Sequence, residues 1–186
     1  MEVLDIVNEK DEIIGKAPRD EIYKKKLTHR IANVIISDKK GRMALQLRGR
    51  NVSYCPMHWD ATASGHVRSG ESYEEAALRE LEEETGKKLK LKEAFKDIFE
   101  YTTGNQKGLK KIEVTFIGEF DKDFRPDLKS VEKITYFSLG EIKKMVKNGE
   151  KIHPEFMFLL QRHYGIKVYS EPTKESGHVF VGSHIV

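Results

Sequence analysis

A chain of 186 residues can build one sizeable core, and 38% apolar residues with a mean hydropathy of −0.58 exclude neither folding nor a polar surface. Its 33 basic and 30 acidic residues nearly cancel at +3, which argues against duplex DNA or a membrane surface as partner but allows a local cationic patch for a phosphate-bearing small molecule. The single cysteine, Cys55, excludes an intrachain disulfide, and with no signal-peptide pattern and no run near roughly 20 apolar residues a cytoplasmic protein is expected.

Along the chain, "VLDIVNEKDEIIGKAP" alternates apolar and polar residues about an "NEKD" turn and predicts an N-terminal hairpin. "PRDEIYKKK" predicts a short helix opened by Pro18, and "HRIANVIISDKKGRMALQLRGR" two strands joined by "SDKKG". "HWDATASGHV" is short and extended. Three further strands are expected in "LKEAFKDIFEYTTG", "KKIEVTFIGEF" and "VEKITYFSL", with "TTGNQKG" as a loop. "LGEIKKMVKNG" and "PEFMFLLQRHYG" have helical spacing, and the last stretch from "KVYSEP" leans towards order without a clear pattern. Strands with helices between them predict a mixed or antiparallel sheet covered by helices.

The strongest helix signal is "SYEEAALRELEEETGK". Ser72 with Glu75 forms a capping box, and Gly86 suits a left-handed stop. Residues 65–87 hold seven glutamates. At about 100° per residue, Tyr73, Ala76, Ala77, Glu80 and Glu84 share one face, with Glu83 at its edge, while Glu74, Glu75 and Glu82 point away. An ordinary solvated face would put its charges opposite the alanines. Here Glu80, Glu83 and Glu84 lie within one turn, with Arg79 as the only internal cation, so they repel one another unless a cation joins them. Hard oxygens so placed suit a divalent ion such as Mg²⁺.

The same residues resemble the box that defines the Nudix family: Gly65, Glu71, Arg79, Glu80, Leu81, Glu83, Glu84 and Gly86 meet eight of its nine defined positions, and Lys87 departs from an aliphatic one. The resemblance implies an α/β class: an α/β/α sandwich around a mixed β-sheet, here with an added N-terminal β-hairpin over residues 1–27. The core spans about residues 28–165 of a single domain of 1–170, and 171–186 form a tail. It further implies hydrolysis of a small-molecule diphosphate, commonly a nucleoside diphosphate linked to another moiety X. Glu80, Glu83, Glu84 and the Gly65 carbonyl would hold Mg²⁺ (Mn²⁺ as substitute), Arg79 would orient the carboxylates, and Glu71 and Gly86 would be structural. Glu80 or Glu83 would accept the proton of the attacking water.

The flanks resemble type 1 isopentenyl-diphosphate isomerase and its hydrolase-like relatives. That isomerase uses a cysteine just before the first box glycine, where this chain has Ser64. His29 and His66 match two of its metal histidines, but Ile22 stands at another, and Val52 and Ser53 replace its lysines before Pro56. The isomerase and a non-catalytic nucleotide-binding module are therefore the alternatives. Arg48 and Arg50 are the candidate phosphate contacts, with Arg30 and Arg68 behind them, and Glu113 and Glu132 are candidates for an extra ligand or base. Tyr54 and Trp59 could stack on a base or lie in the core, and His153 and His163 read as structural or surface residues. RNA-cap binding would need a basic, aromatic-lined groove, which "KKIEV" or "YKKKLTHR" alone does not establish. The hairpin and the last twenty residues are candidate homodimer contacts.

Overall fold

Residues Val3–Val7 (β1) and Ile13–Pro18 (β2) form the expected antiparallel hairpin, and Arg19–Lys25 (α1) follows with Pro18 at its N-cap. The computed structural model describes residues 2–167 and 183–184. The other elements are His29–Ser37 (β3), Met43–Arg48 (β4), Trp59–Asp60 (β5), Ala63–His66 (β6), Tyr73–Thr85 (α2), Lys92–Glu100 (β7), Lys110–Glu119 (β8), Val131–Phe137 (β9), Leu139–Lys147 (α3), Pro154–Tyr164 (α4) and Ser183–His184 (β10). Each expected strand and helix up to residue 164 is present. The tail expectation for 171–186 lies, apart from β10, outside the described residues, where β10 pairs with β7 at Ile98 and Asp97. Among the described residues, no helix is long and apolar enough to cross a membrane.

The main sheet runs β10-β7-β8-β3-β4-β5, with β6 also on β3 and β9 on β4. It is mixed, because β3 and β8 pair in parallel from His29–Lys111 to Ser37–Glu119 while its other pairs are antiparallel. A strand covered on both faces needs apolar residues at nearly every position, and "IANVII" in β3 supplies them. Ala32, Val34 and Ile36 pack with Val114 and Phe116 against Ala76, Ala77 and Leu81 of α2. Ile35, Leu45, Trp59, Ile142 and Phe156 form the core on the opposite face, under α3 and α4. The result is the α/β/α sandwich. Small alanines let α2 lie close to the sheet, and burying Leu81 contributes about 2 kcal/mol.

One detail differs from a simple hairpin reading of β3 and β4. They pair only at Ile36–Ala44 and Ser37–Met43, after which β3 pairs with β6 instead, at Ile31–Val34. The sheet thus forks between β4 and β6. Thr62 closes the root of the fork: its hydroxyl accepts from Ile36 N at 2.8 Å and donates to Ala44 O at 2.6 Å.

The N-terminal hairpin is fastened to the loop before α2. Ser69 N donates to Val3 O, Gly70 N to the Asp5 carboxylate, and Leu4 bridges Arg68. At the tip, Asp11 has φ 64° and turns its carboxylate inward. It receives Arg30 Nε at 2.6 Å, Lys96 Nζ at 2.7 Å and the Tyr73 hydroxyl at 3.1 Å. One side chain thereby joins the hairpin to β3, β7 and the first residue of α2. Removing it leaves two cations facing each other with little solvent, so Asp11→Ala should destabilise the protein by about 2–3 kcal/mol. Asp11→Asn, which keeps the shape, should cost about half as much. Urea unfolding followed by circular dichroism measures both.

Candidate functional site

α2 begins at Tyr73 because Ser72 Oγ accepts from Glu75 N and the Glu75 carboxylate receives Ser72 N, the expected capping box. It stops at Gly86 (φ 68°), where a Cβ would meet Arg125 O at 3.0 Å. Lys87, the departure from the aliphatic pattern, keeps a packing role by placing its ammonium 5.1 Å from the Phe120 ring.

The box glutamates separate into distinct environments. Glu74, Glu75, Glu82 and Glu83 are exposed, whereas Glu80 and Glu84 turn towards the sheet. Glu83 is therefore a rim residue, 3.7 Å from Arg68 and 3.6 Å from Arg79. Arg79 is the centre of the brace. It donates to both oxygens of Glu71 at 2.8 and 2.9 Å, to Glu80 Oε1 at 2.5 Å and to His66 O at 2.9 Å. Glu71 also accepts from Arg68 N at 3.0 Å, so it braces the loop as expected. Burial opposes the ionised form of Glu71, but Arg79 and the Arg68 amide outweigh it and hold its carboxyl below the usual range.

Gly65 is required by its neighbour. A Cβ there would lie 2.0 Å from Glu80 Oε1, so the carboxylate occupies the space a side chain would take. Glu84 plugs the fork in the sheet: its Oε2 accepts from Ser64 N of β6 at 3.1 Å and from Gln46 Nε2 of β4 at 2.9 Å. The sequence had pointed to mutual repulsion among these groups, but burial comes first. It pushes Glu80 up to about 7 against the pull of Arg79. Burial, followed by repulsion from Glu80, pushes Glu84 up to about 8.

As placed, no three acidic, histidine or cysteine side chains among the described residues stand close enough together to hold an ion. The chemistry of the donors nevertheless fits a divalent cation. Among the described residues, half-buried Glu80 is paired with the Arg79 that Glu71 already holds, half-buried Glu84 has no cation hydrogen-bonded to it, and Gln46 Oε1 beside it is buried without a partner. Unmatched hard oxygens of this kind favour Mg²⁺ or Mn²⁺.

The remaining candidates fall in different places. Arg48 is largely buried and binds Asp60 at 3.2 Å and Tyr54 O at 3.2 Å, within electrostatic range of Glu84. Arg50 and Glu132 form an exposed pair with each other at 3.5 Å. Arg30 is taken by Asp11, and Arg68 lies at the rim beside Glu2 and Glu83. Glu113 is buried on the opposite face of the sheet, where it accepts from Asn33 Nδ2 at 3.2 Å. Trp59 belongs to the core under α3, and Tyr54 packs against Tyr101 and His153. His153 and His163 are inward-facing, and burial lifts the Cys55 thiol to about 11. Sequence reasoning missed Gln46, the Ser64 amide and Asp11. The first could have been sought as a polar residue in the buried strand "MALQL", but the others act through backbone or through a turn.

The chain matches the family description "NUDIX domain" over residues 27–160. It is 30% identical over 152 residues to isopentenyl-diphosphate Delta-isomerase 2 of Photorhabdus laumondii, covering 82% of this chain and 86% of that one. It is 31% identical over 167 residues to an uncharacterized Nudix hydrolase of Nostoc sp. PCC 7120, covering 88% and 96%. The crystal structure of DR0079 from Deinococcus radiodurans superposes with a TM-score of 0.74 at 23% identity, over 88% of this chain and 99% of that one, which concerns the fold.

The raised carboxyls have a consequence for stability. A carboxyl raised on folding stabilises the fold below its unfolded value near 4.5 and loses that contribution as pH climbs through the folded value. The window for Glu84 is thus about pH 4.5 to 8. Without metal, the wild type should lose stability relative to Glu84→Gln across that window, and Mg²⁺ should reduce the difference. Thermal melts of both proteins at pH 5, 6.5 and 8 test this. A difference that does not vary with pH would contradict it.

Proposed function

The chain belongs to the Nudix family and is a hydrolase acting on diphosphates, and from that premise we propose that it is a Mg²⁺-dependent enzyme that cleaves the diphosphate linkage of a small organic diphosphate by attack of water on phosphorus. The observation that carries this reading is the pair of inward-turned, half-buried carboxylates, Glu80 and Glu84, whose charge the protein leaves largely unmatched. Glu80 and Glu84, with Glu83 at the rim and the Gly65 carbonyl, would hold the ion. Bound there, Mg²⁺ supplies neutralisation of charge on phosphate oxygens and makes water more acidic.

The chain's own groups set the geometry. Arg79, held by Glu71 and by His66 O, fixes the rotamer of Glu80. Glu80 or Glu83, both beside the ion, would accept the proton of the attacking water, and because the ion makes that water more acidic the base need not be strong. Both candidate phosphate contacts are ion-paired, Arg48 with Asp60 and Arg50 with Glu132; Arg48 is the better placed of the two because it is largely buried and within electrostatic range of Glu84.

The likeness to an isomerase-named relative does not shift the reading. In place of the isomerase's cysteine, Ser64 donates its hydroxyl to Asn33 Oδ1 at 2.7 Å, and an alcohol is a far weaker acid than a thiol. The one thiol lies in the loop after β4, half-buried, and desolvation raises its pKa.

The test is turnover of purified protein with Mg²⁺ on a panel of nucleotides, nucleotide sugars, dinucleoside polyphosphates, prenyl diphosphates and capped RNA, scored by phosphate and pyrophosphate release. Glu80→Gln and Glu84→Gln should each lower kcat by about two orders of magnitude or more with the fold intact. Gly65→Ala should act similarly by displacing Glu80. Near-normal turnover in both glutamine variants would sink the assignment.

A further inference from the structure

β4 carries a group for the ion that the box glutamates do not supply. Along "MALQLR", Ala44 packs in the core under α2, while Leu45 and Leu47 pack in the core on the opposite face. Strand alternation therefore turns Gln46 and Arg48 towards α2, and Gln46 is 0% exposed. It stands just past the point where β4 parts from β3, paired with Asp60 of β5 and Ile134 of β9. An amide at a fully buried strand position needs a reason, because an apolar side chain would fill the place without polar cost.

Half of that reason is visible. Gln46 Nε2 donates to Glu84 Oε2 at 2.9 Å, the oxygen that also accepts from Ser64 N at 3.1 Å. The other half is not, since Gln46 Oε1 is buried without a partner among the described residues. Turning the amide over does not help: Oε1 would then face a carboxylate oxygen, and the NH₂ group would lose its acceptor. Buried polar atoms in folded proteins are nearly always paired, so the carbonyl oxygen calls for an electron-pair acceptor.

Arg48 narrows the choice. Its terminal nitrogens donate to Asp60 and to Tyr54 O, but its Nε is buried without an acceptor. Two residues apart on one face, β4 thus presents an unmatched acceptor and an unmatched donor beside Glu84. A lone cation would leave Arg48 Nε unpaired, and a lone anion would leave Gln46 Oε1 unpaired. A cation that carries a phosphate oxygen answers both. The donor set agrees, because acidic, histidine and cysteine side chains among the described residues do not gather in threes. Mg²⁺ and Mn²⁺ take neutral carbonyl oxygens beside carboxylates.

We infer that Gln46 is a ligand of the divalent ion, its Oε1 binding the ion that Glu80 and Glu84 hold while its Nε2 keeps Glu84 in place. Arg48 Nε then receives an oxygen of the phosphate that the ion carries. The inference rests on the diphosphohydrolase reading above. It gives the ion a neutral side-chain ligand from β4, outside the box.

The test uses the full chain, freed of metal and without substrate, titrated with Mn²⁺ while electron paramagnetic resonance counts the free ion. Gln46→Met, which keeps the length without the amide, should bind Mn²⁺ at least about tenfold more weakly than the wild type. A looser Glu84 alone would also weaken binding, so the deciding readout is direct. Cell-free synthesis with glutamine ¹³C-labelled at Cδ labels Gln46, Gln106 and Gln161. Electron–nuclear double resonance of bound Mn²⁺ should then show a strong ¹³C coupling in the wild type and none in Gln46→Met. That coupling falls with the cube of distance, so only a ligating carbonyl gives it. Gln106 lies in the loop between β7 and β8 and Gln161 on α4, so only Gln46 shares the fork with Glu84. The wild-type spectrum therefore decides even if the variant fails to fold. Bound Mn²⁺ without the coupling, a coupling that survives in Gln46→Met, or equal affinity in both proteins overturns the inference and leaves the hydrolase reading standing. A wild type that binds no Mn²⁺ overturns both.

Discussion

The carboxylate of Glu84 in the fork of the sheet is the contact on which the rest of the site depends. β4 and β6 part after Thr62, and parting strands leave backbone donors without a ladder partner. Glu84 accepts one of them, Ser64 N, together with the Gln46 amide, so an anion from a helix completes the sheet. That requires α2 to lie close to β6, which the buried Ala76 and Ala77 allow, and it brings Glu80 against Gly65. The same approach removes water from both carboxylates. A functional charge is thus held in place by the packing that stabilises the fold, and its raised pKa follows from that packing.

A buried anion of this kind is tolerable only if its surroundings cannot relax away from it. Two braces prevent relaxation. Arg79 ties Glu80 to Glu71 and to His66 O, which fixes the helix to the loop that precedes it. The N-terminal hairpin fixes that loop from outside through Ser69 N and Gly70 N, and Asp11 fixes the hairpin to Tyr73, Arg30 and Lys96. The hairpin is therefore part of the support of the site, although it lies outside the matched family region at residues 27–160.

Much of this was legible in the sequence because it is local. Strand alternation, the Ser72–Glu75 box and the Gly86 stop are decided by neighbouring residues, and the structure has each of them. Helical spacing also separated Glu80 and Glu84 from Glu74, Glu75 and Glu82. It could not place Glu83, whose position at the edge of the face became an exposed rim, nor distinguish Arg48 from Arg50. Arg48 ends β4 and Arg50 lies in the turn beyond it, and which of them is buried depends on partners distant in sequence, Asp60 for one and Glu132 for the other. Glu113 was a candidate, but its surroundings were hidden for the same reason. Its alternation within "KKIEVTF" is plain, but that Lys111 and Glu113 face α4 and its Glu155 is a fact of topology.

The two faces of the sheet resolve their buried charge in opposite ways, and this bears on the reaction. Beneath α4, Lys111 is matched by Glu155. Beneath α2, Glu80 and Glu84 have between them one arginine, which Glu71 already engages through both of its oxygens. A site that transferred protons at carbon would place its acid where the charges are matched and water is absent, but there Ser64 offers only an alcohol, already donated to Asn33. Among the described residues, the α2 face leaves carboxylate charge unmatched, and hydrolysis of a phosphoric anhydride needs such a centre to gather cations around developing negative charge. The electrostatics of the two faces therefore favour hydrolysis beneath α2, with Glu84 and Ser64 at the junction between the faces.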